Sequence, residues 1–166
     1  TRVRSSAASD VYKRQHCRPS TRVSCKFQFM NIIEQLSFKT DGYQIVNITE
    51  NIQELVQRHE FKKGLVNLSI LHTSASLTVQ ENASKDVLKD ISAFLSNLAP
   101  ESANYLHDVE GADDMPAHLK TLITNTNLTV SVVSNKLVLG VWQGIYLCEW
   151  RKFGRTRSIT VHLLGE

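Results

Sequence analysis

Two histidines and four carboxylates fall within the sixteen residues "YLHDVEGADDMPAHLK", Tyr105–Lys120. Imidazoles ligate transition metals and move protons near neutral pH, and carboxylates hold divalent cations or exchange protons. The turn-forming "EGADDMP" between His107 and His118 lets the two rings converge despite their separation in sequence. His72, at the end of "LVNLSILH", is a third imidazole. With Glu81, Glu110 or an Asp, the three histidines would complete a metal-ligand set. The spacing fits no standard zinc motif, and histidine trios also bind phosphate or relay protons. All three chemistries stay open on spacing alone.

The elements that must position these groups are mostly strands. "IIEQLSFKT" and "YQIVNIT" alternate, and the Asp41-Gly42 turn between them predicts a hairpin. Thr49 is placed to cap a short helix with Ile52, Leu55 and Val56 on one face, and Gly64 to stop it. "LVNLSILH" and "ASLTVQE" read as two more strands. Ser84 then caps a helix whose stripe of Val87, Leu88, Ile91, Phe94, Leu95 and Leu98 has helical period, and Pro100 ends it. Pro116 to about Asn125 reads as another helix, with Asp113 or Asp114 as its natural cap. "LTVSVVS", "KLVLGVWQGIYLCEW" and "RSITVHLLG" read as strands. The pattern predicts an α+β domain, mainly an antiparallel β-sandwich or barrel-like sheet with two or three short helices.

Strand parity marks which polar groups point inward, because side chains alternate faces. His72 is in phase with Val66, Leu68 and Ile70, and Glu81 with Ala75, Leu77 and Val79. Gln143 and Glu149 share phase with Leu139, Val141, Ile145 and Leu147; Arg157 shares it with Ile159, Val161 and Leu163. Buried charge is expensive unless paired or serving a ligand, so these five groups predict a shared polar pocket at one rim of the sheet. A β-bulge at Gly140 or Gly144 would reset the phase of Gln143 and Glu149.

Composition narrows the classes of partner. The chain carries 42% hydrophobic and 21% charged residues, as an ordinary globular protein does. Seven of its nineteen Lys/Arg lie in residues 1–29 against one acid, leaving a net charge of −3 from Met30 onward. A nucleic-acid groove is therefore not expected in the folded part. No apolar run approaches the length that crosses a bilayer, and no secretory signal is evident, so a cytoplasmic protein without a membrane partner is expected. Residues 1–29 read as a non-native or disordered basic extension, and 30–166 as a single domain. Cys17 and Cys25 lie in the extension, leaving Cys148 without a partner for a disulfide or a cysteine zinc site.

Four segments, "LHTSASLTVQENA", "YLHDVEGADDMPAHLK", "LVLGVWQGIYLCEW" and "GRTRSITVHLLGE", resemble in order the YjbQ family, known also as secondary thiamine-phosphate synthase. The resemblance spans Met30 to Glu166. It implies a homotrimer with pockets near subunit contacts. The implied activity joins a pyrimidine pyrophosphate to a thiazole phosphate with release of pyrophosphate. Matching positions assign His72, His107, His118 and Glu110 to catalysis. They assign Thr73, Ser74, Asn82, Lys120, Gln143, Arg155 and Arg157 to a small phosphorylated metabolite, the arginines through their bidentate forks. Glu81, Asp113 and Glu149 are the expected ligands of a magnesium ion, or of zinc or another transition metal if the three histidines share it. A non-catalytic trimer that binds an anionic metabolite and a metal-dependent hydrolase are the rival expectations.

Overall fold

The computed structural model describes residues 29–166. The extension expected over residues 1–29, with Cys17 and Cys25, lies outside the described residues except for Phe29. In chain order the elements are β1 (Met30–Lys39), β2 (Gln44–Asn47), α1 (Thr49–Arg58), β3 (Lys63–Ile70), β4 (Ala75–Glu81) and α2 (Lys85–Leu98). They continue with α3 (Asp114–Ile123), β5 (Asn127–Val133), β6 (Lys136–Leu137), β7 (Gln143–Glu149) and β8 (Thr156–Gly165).

The strands form two antiparallel sheets, ordered β1-β8-β3-β5-β6 and β2-β7-β4. A bridge between Leu77 and Asn125 links them. Alternation drives the assembly. Val66 and Leu68 of β3, and Ile159, Val161 and Leu163 of β8, turn fully buried faces onto Leu77, Ile145 and Leu147 of the smaller sheet. Ile52 and Val56 of α1 and Phe61 beyond it close the same core. Each such side chain contributes about 1.5–3 kcal/mol of burial free energy. A second cluster of Leu95, Ala117, Cys148 and Trp150 holds α2 and α3 against the outer face of β7. Burial there pushes the Cys148 thiol up to about 12, so it behaves as a small apolar side chain.

Several local expectations are corrected. The chain turns at Asp41-Gly42, but β1 pairs with β8 and β2 with β7, so no hairpin forms. Gly42 is required there because a Cβ would stand 2.4 Å from the Lys152 carbonyl oxygen, at a φ of +121°. Gly64 does not stop α1. It lies inside β3 at φ +150°, where a Cβ would meet the Leu164 carbonyl oxygen of β8 at 2.3 Å. Thr49 is the first helical residue rather than the cap: its hydroxyl accepts from Ile145 N–H at 2.8 Å, and Asn47 Oδ1 accepts from its N–H at 2.9 Å, while the cap position falls to Ile48, which offers no side-chain acceptor. Ser84 caps α2 as expected, accepting from Asp86 N–H at 3.2 Å. The α2 stripe is only partly covered: Leu95 is buried, but Phe94 is 65% and Leu98 58% exposed. The long segment from Lys136 to Trp150 divides into β6 and β7 around a turn at Gly140–Trp142.

Candidate functional site

Asp114 and His118 stand one turn apart on α3, and that spacing puts both side chains on one helical face. Nδ1 of His118 lies 2.9 Å from the Thr73 carbonyl oxygen. A carbonyl only accepts, so this contact places the proton on Nδ1 and leaves the Nε2 lone pair free. That Nε2 lies 3.6 Å from Asp114 Oδ2. From the loop before α3, His107 brings its Nε2 to 2.7 Å from the same oxygen. The ring centroids of His107 and His118 are 5.4 Å apart.

The ligating atoms of His107, Asp114 and His118 lie within 4.8 Å of one another. Asp114 is 2% exposed, and its Oδ1 is held by the Arg151 guanidinium. Its Oδ2 makes no hydrogen bond, although His107 Nε2 stands 2.7 Å away. A buried carboxylate oxygen without a donor costs on the order of 1–3 kcal/mol, and more when charged. A cation between it and the two imidazoles would satisfy it. Two imidazoles and one carboxylate match the donor set of catalytic transition-metal centres. The bond from His118 Nδ1 to a backbone carbonyl is the outer contact that orients a ligating histidine.

Arg151 organises this lip. It donates through Nε to Asp113 Oδ2 at 2.8 Å and through Nη2 to the Glu110 carbonyl oxygen at 3.0 Å. Lys152 N–H also donates to Asp113 Oδ2 at 2.9 Å. Burial raises the Asp113 carboxyl, but Lys152 N–H and Arg151 outweigh it and hold the group below the usual range. Asp113 Oδ2 thus braces Arg151 and the Lys152 backbone, and Asp113 is not among the three residues whose ligating atoms converge. Neither Asp113 nor Asp114 caps α3 with its side chain, since Arg151 draws on both. Glu110 is mostly exposed, with its carboxylate 3.6 Å from Arg151.

The loop from Leu71 to Ser74 carries the next part. His72 Nε2 accepts from Ser158 N–H at 2.8 Å, so the ring is neutral with its proton on Nδ1. Burial and then the Arg157 charge lower its pKa, while Glu149 opposes them. Beneath it, the fully buried Glu149 carboxylate accepts from Arg157 Nε at 2.6 Å, Thr40 Oγ1 at 2.8 Å and Arg151 N–H at 2.9 Å. Burial raises that carboxyl too, and Arg157, Arg151 N–H and Thr40 together hold it low. Arg157 Nη2 also donates to Ser74 Oγ at 3.2 Å and to the Ser74 carbonyl oxygen at 3.3 Å. The pair is internally satisfied, so neither Glu149 nor Arg157 faces outward for a metal or a phosphate.

A pocket of about 340 Å³ opens between this loop and α3, lined by His72, Thr73, His118, Thr121, Leu122, Thr124 and Thr126. The remaining expected residues lie elsewhere. Lys120 is 4% exposed, with its ammonium 5.6 Å from the Tyr43 ring centroid and 5.7 Å from that of Trp150. Burial lowers its pKa, partly offset by Glu101 and Asp113. Arg155 is exposed and lines a separate cleft with Lys39 and Asp41. Glu81, Asn82 and Gln143 sit at the far end of the β4–β7 ladder, where Glu81 pairs with Gln143 while Ala75 pairs with Glu149. Six residues of strand separate those ends by about 20 Å. Sequence reasoning offered Asp114 only as a helix cap or as an unspecified Asp beside the histidines, and did not single out Arg151. The four-residue interval between Asp114 and His118 was the available signal.

A sequence model described as "UPF0047 protein YjbQ-like" matches residues 34–166. A UPF0047 protein of Synechocystis is 41% identical over 145 residues, covering 87% of this chain and 99% of its own length. The UPF0047 protein YjbQ of Escherichia coli O157:H7 is 40% identical over 131 residues, covering 79% of this chain and 94% of its own. Among solved structures, a conserved hypothetical protein of Thermus thermophilus superposes with a TM-score of 0.71 at 34% identity, covering 79% of this chain and 99% of its own. A YjbQ/UPF0047-family protein of Clostridium acetobutylicum gives a TM-score of 0.71 at 32% identity, covering 77% of this chain and 97% of its own.

Proposed function

The chain belongs to the YjbQ-like UPF0047 family, and on that premise we propose that it is a metal-dependent enzyme acting on a small phosphorylated substrate, with thiamine-phosphate synthesis as its reaction. The observation that carries the metal centre is the convergence of His107, His118 and the unpartnered Asp114 Oδ2. This donor set favours a divalent transition metal over magnesium, which prefers oxygen ligands. When bound, such an ion would neutralise charge on a departing phosphate group.

The phosphorylated substrate and the reaction rest on the family resemblance. In that reaction the thiazole ring nitrogen bonds to the pyrimidine methylene carbon as the carbon–oxygen bond to pyrophosphate breaks. Pyrophosphate leaves with the bonding electron pair, so atoms and charge balance. His72 offers an Nδ1–H donor beside this centre, and Arg151 keeps Asp114 oriented. The homotrimer belongs to the same proposal and is supported by the exposed Phe94 and Leu98 on α2.

Elemental analysis of the purified chain should find a stoichiometric transition metal that is lost in His107→Ala and His118→Ala. The loaded protein should form thiamine phosphate from the two precursors, and both variants should lose that activity. Failure to retain or take up metal would falsify the centre. Hydrolysis of phosphate esters without coupling would instead mark a metal-dependent hydrolase.

A further inference from the structure

The two carboxylate oxygens of Asp114 have different surroundings. Oδ1 accepts from Nη1 of Arg151, while Oδ2 stands 2.7 Å from His107 Nε2 and 3.6 Å from His118 Nε2. A carboxylate that chelates an ion turns both oxygens to it. Here one of the two is already held by a charged donor.

That donor is fastened along its length. Arg151 is 5% exposed, and its Nε donates to Asp113 Oδ2 at 2.8 Å and its Nη2 to the Glu110 carbonyl oxygen at 3.0 Å. Lys152 N–H donates to the same Asp113 oxygen at 2.9 Å, which fixes the anchor in turn. Swinging the Asp114 carboxylate so that both oxygens met an ion would leave Nη1 only the Glu110 carboxylate, 3.6 Å away and mostly exposed. Separating a buried ion pair in this way is costly whichever partner is left behind.

Among the described residues, the ligand atoms that converge belong to His107, Asp114 and His118. With Asp114 limited to one oxygen, the protein supplies two nitrogens and one oxygen. That count suits an ion content with four ligands, such as zinc or cobalt(II). It falls short for manganese and calcium, which fill about six or more positions mainly with oxygen, calcium often through both oxygens of a carboxylate.

We infer that Arg151 sets the metal selectivity of this centre: by holding Oδ1 it keeps Asp114 a one-oxygen ligand, which favours four-coordinate zinc or cobalt(II) over ions that need more oxygen. This rests on reading the triad as a metal centre and adds what decides which ion it takes. Arg151 acts through Asp114 and is therefore a positioning residue.

Titration of the metal-free full chain with zinc and with manganese, each in competition with a chelating dye, tests this in the wild type, Arg151→Met and Arg151→Lys. Zinc affinity should fall by about 10–100-fold in Arg151→Met, as it does when an outer partner of a ligand is lost. Manganese affinity should hold or rise, because Oδ1 is released, so the preference for zinc narrows by about tenfold or more. Arg151→Lys keeps a cation beside Oδ1 and should recover part of that preference. A merely structural role for Arg151 would weaken both ions alike and leave the preference unchanged. The visible spectrum of the cobalt-loaded wild type gives a readout that needs no variant: intense tetrahedral bands are expected, and the weak bands of a six-coordinate ion would overturn the inference even if Arg151→Met failed to fold. An unchanged preference in a folded Arg151→Met that still binds zinc refutes the role of Arg151 alone. A wild type that takes up none of the three ions refutes the centre itself, and the selectivity with it.

Discussion

Replacing Glu149 with Gln should be among the most damaging single changes in the domain, although it alters only one oxygen. Its carboxylate collects donors from Arg157, Thr40 and the Arg151 backbone, with no solvent contact. The amide would turn its NH2 toward some of these donors and leave the buried Arg157 charge uncompensated. Breaking a buried pair from one side costs about 3–5 kcal/mol. In a domain of this size each kcal/mol moves Tm by about 3–4 °C, so a fall on the order of 10–20 °C is expected.

Removing both charges together, as Glu149→Leu with Arg157→Met, should destabilise less than Glu149→Gln alone, because no lone charge stays inside. The pH dependence supplies a second readout. A carboxyl held below its ordinary value of 4.5 contributes stability that is full above that value and is lost as pH falls through the folded pKa. The gap between wild type and Glu149→Gln should therefore narrow in acid. Thermal melts by circular dichroism between pH 3 and 7 decide it. A single-variant loss under about 1 kcal/mol, or a double variant worse than the single, would refute the reasoning.

Asp114→Asn should weaken metal binding by more than the roughly 10–100-fold that loss of an outer-shell partner costs, as read by competition with a chelating dye. Thr121→Val should raise stability by about 1 kcal/mol, since it removes a buried hydroxyl that nothing satisfies; a lower Tm would contradict that account. His72 is neutral in the fold with its pKa below the ordinary 6.5, so its contribution is present above 6.5 and lost as pH falls through the lowered value. His72→Asn should flatten the stability profile over that window, measured by urea titrations at several pH values.

Period-two alternation put Arg157 and Glu149 on inward faces, and both are buried. It could not say that they would satisfy each other, because alternation fixes a face and not a position along the strand. Glu81 and Gln143 share the face logic of Glu149 yet end a strand's length away, and the turn at Gly140–Trp142 leaves Gln143 exposed. The Asp41-Gly42 signal located a turn correctly but not the partners of its flanking strands, which long-range pairing decides. The α2 stripe predicted a helix and its start, while the extent of its cover depends on neighbours that local periodicity does not contain. His107 and His118 do converge, but on Asp114, whose role needed the start of α3 to be placed to the residue.

The cation–aromatic seat of Lys120 has one more consequence. At 3.6 residues per turn, Lys120 points about 120–160° round α3 from Asp114 and His118. One side of the helix thus delivers a buried anion to Arg151, and another delivers a buried cation to Tyr43 and Trp150. Rolling α3 by a single residue would push a charge into the wrong environment on both sides at once. The two contacts act as opposed detents on the helix's rotation. The angle at which His118 and Asp114 meet His107 is therefore set by the fold before any ligand arrives, and little ordering remains to be done on binding.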